Sequence, residues 1–299
     1  MRIMDGGVGV TVPDPGDYAF ASLYEVNGIE EVGVTLLSDF TARIYACGPD
    51  SGNDVSSLTA DAGEVLDLGD GPTPTVDSII DDLLSDDPEN RKKGSQKTCG
   101  DGRYNLEDWH WTHYYDWHFN AGSAPPNVNQ DNAELGILSG ASNVTNAFNP
   151  CGLADNVDAG WNYQGRTDRP ANATGNNCDM PDQYSVVDFG PLTGSSIGLA
   201  CTYAHWYDLV NGGLATDESD IRLDSRSKWF MGTIIPADCQ DRWSIEGVMT
   251  HEFGHAYGLA HVGEERHGNL TMSTDNNGTC QTSEETLGLG DVHGLEALY

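Results

Sequence analysis

Short runs of β-forming residues alternate with turn residues near the start of the chain: Tyr18 to Val26, Glu31 to Leu37 and Thr41 to Ala46, parted by Asn27-Gly28 and Ser38-Asp39. This spacing predicts a small β-rich unit. From Gly48 to Asp87 the residues shift to Asp, Gly, Ser and Pro, with one short helical pattern at Val76 to Leu84, which predicts a weakly ordered linker. Trp109, Trp111, His113, Tyr115, Trp117 and Phe119 then alternate with His110, Thr112, Tyr114, Asp116 and His118, the period-two pattern of a strand on a core. The stretch Asn129 to Ala147 reads as a helix with Leu135, Leu138 and Ala141 or Ser142 on one side, although Gly136 and Gly140 weigh against it. Val186 to Phe189, Gly198 to Tyr207 and Asp220 to Asp224 read as strands, Trp243 to Leu259 as the clearest helix and Asp291 to Tyr299 as a closing one.

A cluster of Arg91, Lys92, Lys93 and Lys97 precedes the aromatic strand, and it reads either as an exposed maturation cleavage site or as a solvated linker. It divides the chain into a β-rich N-terminal region with an acidic linker over 1–90, a basic linker over 91–102 and a second domain over 103–299. The 47 acidic against 14 basic residues, net charge −33, exclude a phosphate-backbone partner, which clustered Lys and Arg would have to hold. The acidic pairs Asp81-Asp82 and Asp86-Asp87 read as solvated charge, with calcium binding as the alternative. No apolar run is long enough to span a bilayer, so neither nucleic acid nor membrane is an expected partner, and a monomer is expected. The seven cysteines are dispersed without a CxxC pair, as disulfide partners are, which points to an extracellular protein. The start Met1 to Gly7 lacks the apolar core of a signal peptide, so an export signal is expected to have been removed or to lie upstream.

The run from His251 to His261, His-Glu-Phe-Gly-His-Ala-Tyr-Gly-Leu-Ala-His, fits HExxHxxGxxH at every fixed position. Residues four apart on a helix stack on one face, so His251 and His255 aim two imidazoles at one ion. Gly258 can take positive φ and stop the helix, so that the turning chain brings in His261. Three protein ligands leave a fourth position open, which distinguishes catalytic from structural zinc. Glu252, next to the first ligand, is placed to take a proton from attacking water and return it to a leaving amine. At average residue frequencies such a match arises by chance in about one chain in ten thousand. His110, His113 and His118 point to both faces of one strand and read as packing or surface residues, as His267 and His293 read as solvated.

On these residues the chain resembles the metzincin zinc proteases, and most the matrixin branch, over Tyr104 to Tyr299. Leu270-Thr271-Met272-Ser273 is similar to the family's Met-turn beneath the metal, with Met272 in that role, and Leu287 to Tyr299 resembles the last matrixin helix. Gly198 to Trp206, followed by Asp220 to Asp224 and Lys228-Trp229, resembles the edge strand and the segment after it. The resemblance makes Thr202, Tyr203, Ala204 and His205 a substrate-binding edge that pairs with extended polypeptide. His205 and Asp224 match accessory zinc and calcium ligands, whereas Arg222 and Ser227 replace their usual His and acidic partners and Val262 departs from the branch. The pattern resembles a microbial relative in which disulfides replace accessory metals, with Cys239 to Cys280 among them. Ala46-Cys47-Gly48-Pro49-Asp50 resembles the family's cysteine switch, so Cys47 either caps the metal of a zymogen or pairs with Cys99.

The expectation is therefore an α/β (α+β) catalytic domain: a twisted mixed five-stranded sheet, a backing helix, an active-site helix and a C-terminal helix, behind a β-rich N-terminal region whose role as a prosegment is left open. The expected activity is zinc-dependent endopeptidase, with one catalytic Zn2+ and Ca2+ left open. The alternative is a silent binding or adhesion protein that keeps the same shell. The acidic excess with four lysines also suggests a salt-rich habitat.

Overall fold

The computed structural model describes residues 2–5, 8–11, 17–25, 28–36, 42–47, 98–107, 109–207, 213–232, 234–263, 267–274 and 278–299, with side chains of the first five segments described only at 19–21. The helix expected at Val76 to Leu84, the acidic pairs at 81–87 and the basic cluster at 91–97 lie outside the described residues.

Five N-terminal strands come first: β1 (Arg2–Asp5), β2 (Val8–Thr11), β3 (Asp17–Glu25), β4 (Gly28–Leu36) and β5 (Ala42–Cys47). The last three coincide closely with the runs that the sequence marks out. The second portion holds β6 (Asn105–Leu106), β7 (Trp109–His110), β8 (Tyr115–Phe119), helix α1 (Gln130–Thr145), β9 (Trp161–Arg166), β10 (Ala173–Thr174), β11 (Asn177–Cys178) and β12 (Val186–Gly190). It continues through β13 (Ser196–Tyr207), β14 (Gly213–Asp224), β15 (Lys228–Phe230), β16 (Arg242–Ser244), helix α2 (Ile245–Ala256), β17 (Leu259–Ala260) and helix α3 (Leu289–Leu298).

The expected five strands are present in the order β9-β8-β12-β14-β13, with only β13 antiparallel to its neighbour β14. The sheet is larger than expected, however, because β3, β4 and β5 add to β13 and β7 pairs with β14, making nine strands. The N-terminal region and the second portion thus share one ladder. The expected edge strand is consequently an inner strand, hydrogen-bonded on both sides. A second sheet, β1-β2-β11-β10, also joins the two portions.

The single aromatic strand expected over 109–119 is two, β7 and β8, with a break in which Trp111 turns to stack on Tyr115 at 4.5 Å and donates its indole N–H to Ala256 O at 2.8 Å. Within β8 the alternation holds: Tyr115, Trp117 and Phe119 are buried against Phe253 of α2 and its surroundings.

Helix α1 begins at the Asn129 cap, whose side chain accepts from the Asp131 and Asn132 amides. Its buried face is not the one the leucines suggest. Leu135 and Leu138 are half-buried, whereas Ala133, Gly136, Ile137, Gly140, Ala141 and Val144 are buried. Helix–helix closeness is the cause: a Cβ at Gly140 would lie 2.6 Å from Met249 Cβ and 2.9 Å from Thr250 N, and one at Gly136 would lie 2.7 Å from Met231 O. The glycines that cost helix propensity let α1 seat directly on α2. Helix α2 is buried along its whole length and is capped by Ser244, whose hydroxyl accepts from Gly247 N at 3.0 Å.

Three disulfides, Cys99–Cys151, Cys178–Cys201 and Cys239–Cys280, close loops of 52, 23 and 41 residues. Each restricts the unfolded chain by about 3–4 kcal/mol in the loop-entropy account. Cys239 and Cys280 pair as the resemblance implies, whereas Cys99 bonds to Cys151, which removes the pairing with Cys47.

Gly140→Val is expected to destabilise the full chain by about 2–3 kcal/mol through overpacking against α2, whereas Leu135→Ala costs about 1 kcal/mol or less. Urea unfolding with the disulfides intact checks both, and the reverse ranking would contradict this helix interface.

Candidate metal and catalytic centre

His251 and His255 lie one turn apart on α2, and Gly258, at φ +92°, ends the helix so that the chain reverses toward His261. A side chain at Gly258 is excluded on a second ground, because its Cβ would lie 3.1 Å from Leu298 Cδ1 and closer still to Trp109 O. The reversed segment is held by β6: Leu259 and Ala260 pair with Leu106 and Asn105, Glu107 N donates to Gly258 O at 2.8 Å, and Asn105 Nδ2 donates to His261 O at 2.6 Å.

The three imidazoles converge. Their Nε2 atoms stand 3.0 Å (His251 to His261), 3.1 Å (His255 to His251) and 2.8 Å (His255 to His261) apart, and all three residues are buried. His251 Nδ1 donates to Thr271 O at 2.7 Å and His255 Nδ1 to Leu259 O at 2.9 Å, so both rings carry their proton on Nδ1 and turn an Nε2 lone pair inward. Burial, reinforced by the neighbouring His261, lowers the His251 pKa to about 3, and burial with the two neighbouring imidazoles holds His255 well below its usual range. The inward Nε2 lone pairs of the His251 and His255 rings repel one another and would be met by a cation. Ligands at about 2.0–2.1 Å from zinc in a tetrahedral array stand about 3.3 Å apart, so this all-nitrogen set fits zinc with slight expansion. Among the described residues it is the cluster of His, Cys, Asp or Glu side chains that could hold a metal ion.

The floor of the centre is the segment after the triad. Met272 is buried against α2 at Gly254, where any Cβ would collide with its sulfur. Val262 N donates to Met272 O at 2.9 Å. Asp291 of α3 fastens this turn, its carboxylate accepting from Thr271 N at 2.9 Å, Met272 N at 3.2 Å and Gly288 N at 2.8 Å. The linkage runs from Asp291 to the Thr271 peptide, and from the Thr271 carbonyl to the His251 ring. Sequence reasoning placed Asp291 in a closing helix but gave it no role, since the partners lie 19 and 20 residues away.

Glu252 is fully buried and faces β13 at Gly198, where a Cβ would stand 2.9 Å from its Cδ. Gly198 was also missed: only a residue without a side chain lets the strand close on this carboxylate. Along β13, Thr202 bonds Ser219 Oγ at 3.0 Å, and His205 pairs with Asp217.

The two residues at the accessory-zinc positions do not meet. Arg222 pairs with Leu199 and His205 with Ala215, so they stand several residues apart along the same ladder. Arg222 bonds the buried Asp188 through Nε at 2.7 Å and NH2 at 2.5 Å, and a guanidinium has no lone pair to offer a metal. Asp224 accepts from Leu192 N, Arg226 Nε at 2.8 Å and Ser227 Oγ at 3.0 Å, so a protein cation already meets it. The backbone of Cys47 ends β5, reached from Ala200 through Ser22 and Glu31, about 14 Å across three strand spacings; its side chain is not among those described.

Asp291→Ala leaves three buried amides without an acceptor and frees the carbonyl that orients His251. It is expected to weaken zinc affinity about 10- to 100-fold and to lower stability by about 2–3 kcal/mol. Competition with a chromogenic chelator and thermal unfolding measure the two effects.

No curated protein matches the chain. Residues 195–299, which carry β13, β14, the triad, Glu252, Met272 and α3, match the sequence model of the family described as Matrixin. The match spans the histidine cluster, and over these residues the chain is similar to the matrixin metallopeptidases.

Proposed function

We propose that the chain is a zinc-dependent endopeptidase acting on extended polypeptides, with His251, His255 and His261 holding the metal and Glu252 as general base and acid. The convergence of three buried Nε2 atoms beside a buried glutamate carries this reading. A zinc ion there supplies Lewis acidity and brings the pKa of water to about 7.

The protein's own groups do the rest. The Thr271 and Leu259 carbonyls hold two rings in the tautomer that presents Nε2. Glu252, walled in by Gly198, accepts the proton of the attacking water and delivers it to the departing amine as the tetrahedral carbon collapses. The buried setting strengthens each of these interactions by excluding water. In this reading water attacks the carbonyl carbon directly, with Glu252 as its base. Three disulfides support secretion as the setting in which the chain works.

Zinc content and casein cleavage, with and without chelator, test this reading on the full chain and on a chain opened at a site-specific protease sequence inserted after Gly94. One zinc per chain with chelator-sensitive cleavage from the opened chain is expected, and bound zinc without cleavage from either form would favour a silent binding protein. Glu252→Gln is expected to retain zinc and to lose at least about 100-fold in rate; undiminished cleavage would remove Glu252 from the mechanism.

A further inference from the structure

Strand β14 turns apolar Ile221 and Leu223 toward the helices and sets a buried row of charge on its other face. There Glu218, Asp220 and Arg222 stand opposite Tyr203, Cys201 and Leu199 of β13, because alternate residues of a strand share a face. The Arg222 charge is matched: Asp188 accepts from Nε and NH2, and the Ala173 and Ala171 carbonyls accept from NH1 at 2.6 Å and NH2 at 3.2 Å. Glu218 and Asp220 are each 1% exposed, and no ion pair meets either among the described residues.

What holds these two carboxyl groups is the segment 171–186, which covers this face. Glu218 accepts from Asp182 N at 3.1 Å and from Gln183 N, successive amides that Gln183 at φ +63° turns toward one anion. Asp220 Oδ1 accepts from Val186 N at 3.0 Å, and the Asn172 amide bonds the same carboxyl group. Asp220 Oδ2 is buried, and no N–H or O–H of another residue reaches it, while the Glu218 and Asp220 carboxyl groups are in hydrogen-bond contact with each other. Two ionised carboxylates are acceptors only, so that contact is a bond when one of them carries a hydrogen. The other charged or titratable groups facing the pair are already engaged. Arg169 lies 3.8 Å from Asp182 and stacks on Tyr184, Asp179 accepts from Thr174 Oγ1 at 2.6 Å, and the Tyr115 hydroxyl of β8 donates to Ser219 O. Strand β3 brings only Ala19 and Ala21 to this face.

From this geometry we infer that Glu218 and Asp220 share one proton, carried on Asp220 Oδ2, and that this proton is a latch holding the segment 171–186 on the sheet and releasing it as the medium turns alkaline. The inference stands apart from the peptidase reading, since the pair lies on the face of the sheet turned away from α2. Loss of the proton leaves two adjacent charges in a site shut off from water, where both burial and mutual repulsion oppose them. Burial first, and then the Glu218 charge, hold Asp220 well above the usual carboxylate range, and burial raises Glu218 as well. A carboxyl group whose pKa is higher folded than unfolded contributes stability that is complete below about pH 4 and is lost as pH rises through the raised value. The latch is therefore tight in acid and loosens toward alkali.

Asp220→Asn in the full chain tests this, because it replaces Oδ2 by an amide that donates to Glu218 at every pH. Infrared spectra at neutral pH should show the C=O stretch of a protonated carboxyl group in the wild type that is missing from the variant. Hydrogen exchange at the amides of Asp182, Gln183 and Val186, corrected for the intrinsic effect of pH, should speed up at least about tenfold from mildly acidic to alkaline solution in the wild type, the effect of a pKa displaced by one unit. In the variant it should stay level. A carboxyl band that survives the substitution, or the same rise of exchange in both proteins, would overturn the inference. So would a wild-type band that appears only after calcium is stripped, which would put a cation where the proton is placed here. Should Asp220→Asn not fold, Glu218→Gln, whose amide donates to Asp220 Oδ2, decides in its place: it must abolish the same band, and a band that persists refutes the shared proton.

Discussion

Three imidazole nitrogens within about hydrogen-bond distance of one another, in a site shut off from water, are a repulsive arrangement that the rest of the fold has to enforce. The two helical rings are turned by carbonyls, Thr271 O and Leu259 O, that belong to different segments. The first of these segments is fastened by Asp291 from the closing helix and the second by β6 from the beginning of the domain. A metal would relieve the repulsion, but the positions exist because segments far apart in sequence hold the His251 and His255 rings from behind.

Close packing of small residues supplies the required stiffness. Gly136 and Gly140 let the backing helix touch the active-site helix, Gly254 admits the Met272 sulfur beneath it, and Gly198 admits the Glu252 carboxylate above it. Each is a place where one methyl group would drive two elements apart. Where the resemblance suggested accessory metals, the structure has protein cations: Arg222 on Asp188 and Arg226 on Asp224. With three disulfides these pairs tie the loops around the sheet through the protein's own side chains.

The strands beside the histidine cluster and the N-terminal strands form one ladder. A strand that would otherwise carry unpaired amides along the rim of the site is covered by β3.

What the sequence by itself determined was local: the ligand spacing of His251, His255 and His261, the neighbouring Glu252, the glycine that ends the helix, and the strands and helices whose periodicity survives burial. Residues a few positions apart on a helix must share a face whatever surrounds them. The buried face of α1 was misread because hydrophobicity favoured Leu135 and Leu138, while interhelical distance favoured Gly136 and Gly140. The roles of Asp291 and Gly198 were not legible, since their meaning comes from partners distant in the chain. Whether β13 ends the sheet or lies within it could not be read either, because an edge strand and an inner strand can share one pattern of side chains. Only the tertiary structure decides which backbone amides already have partners.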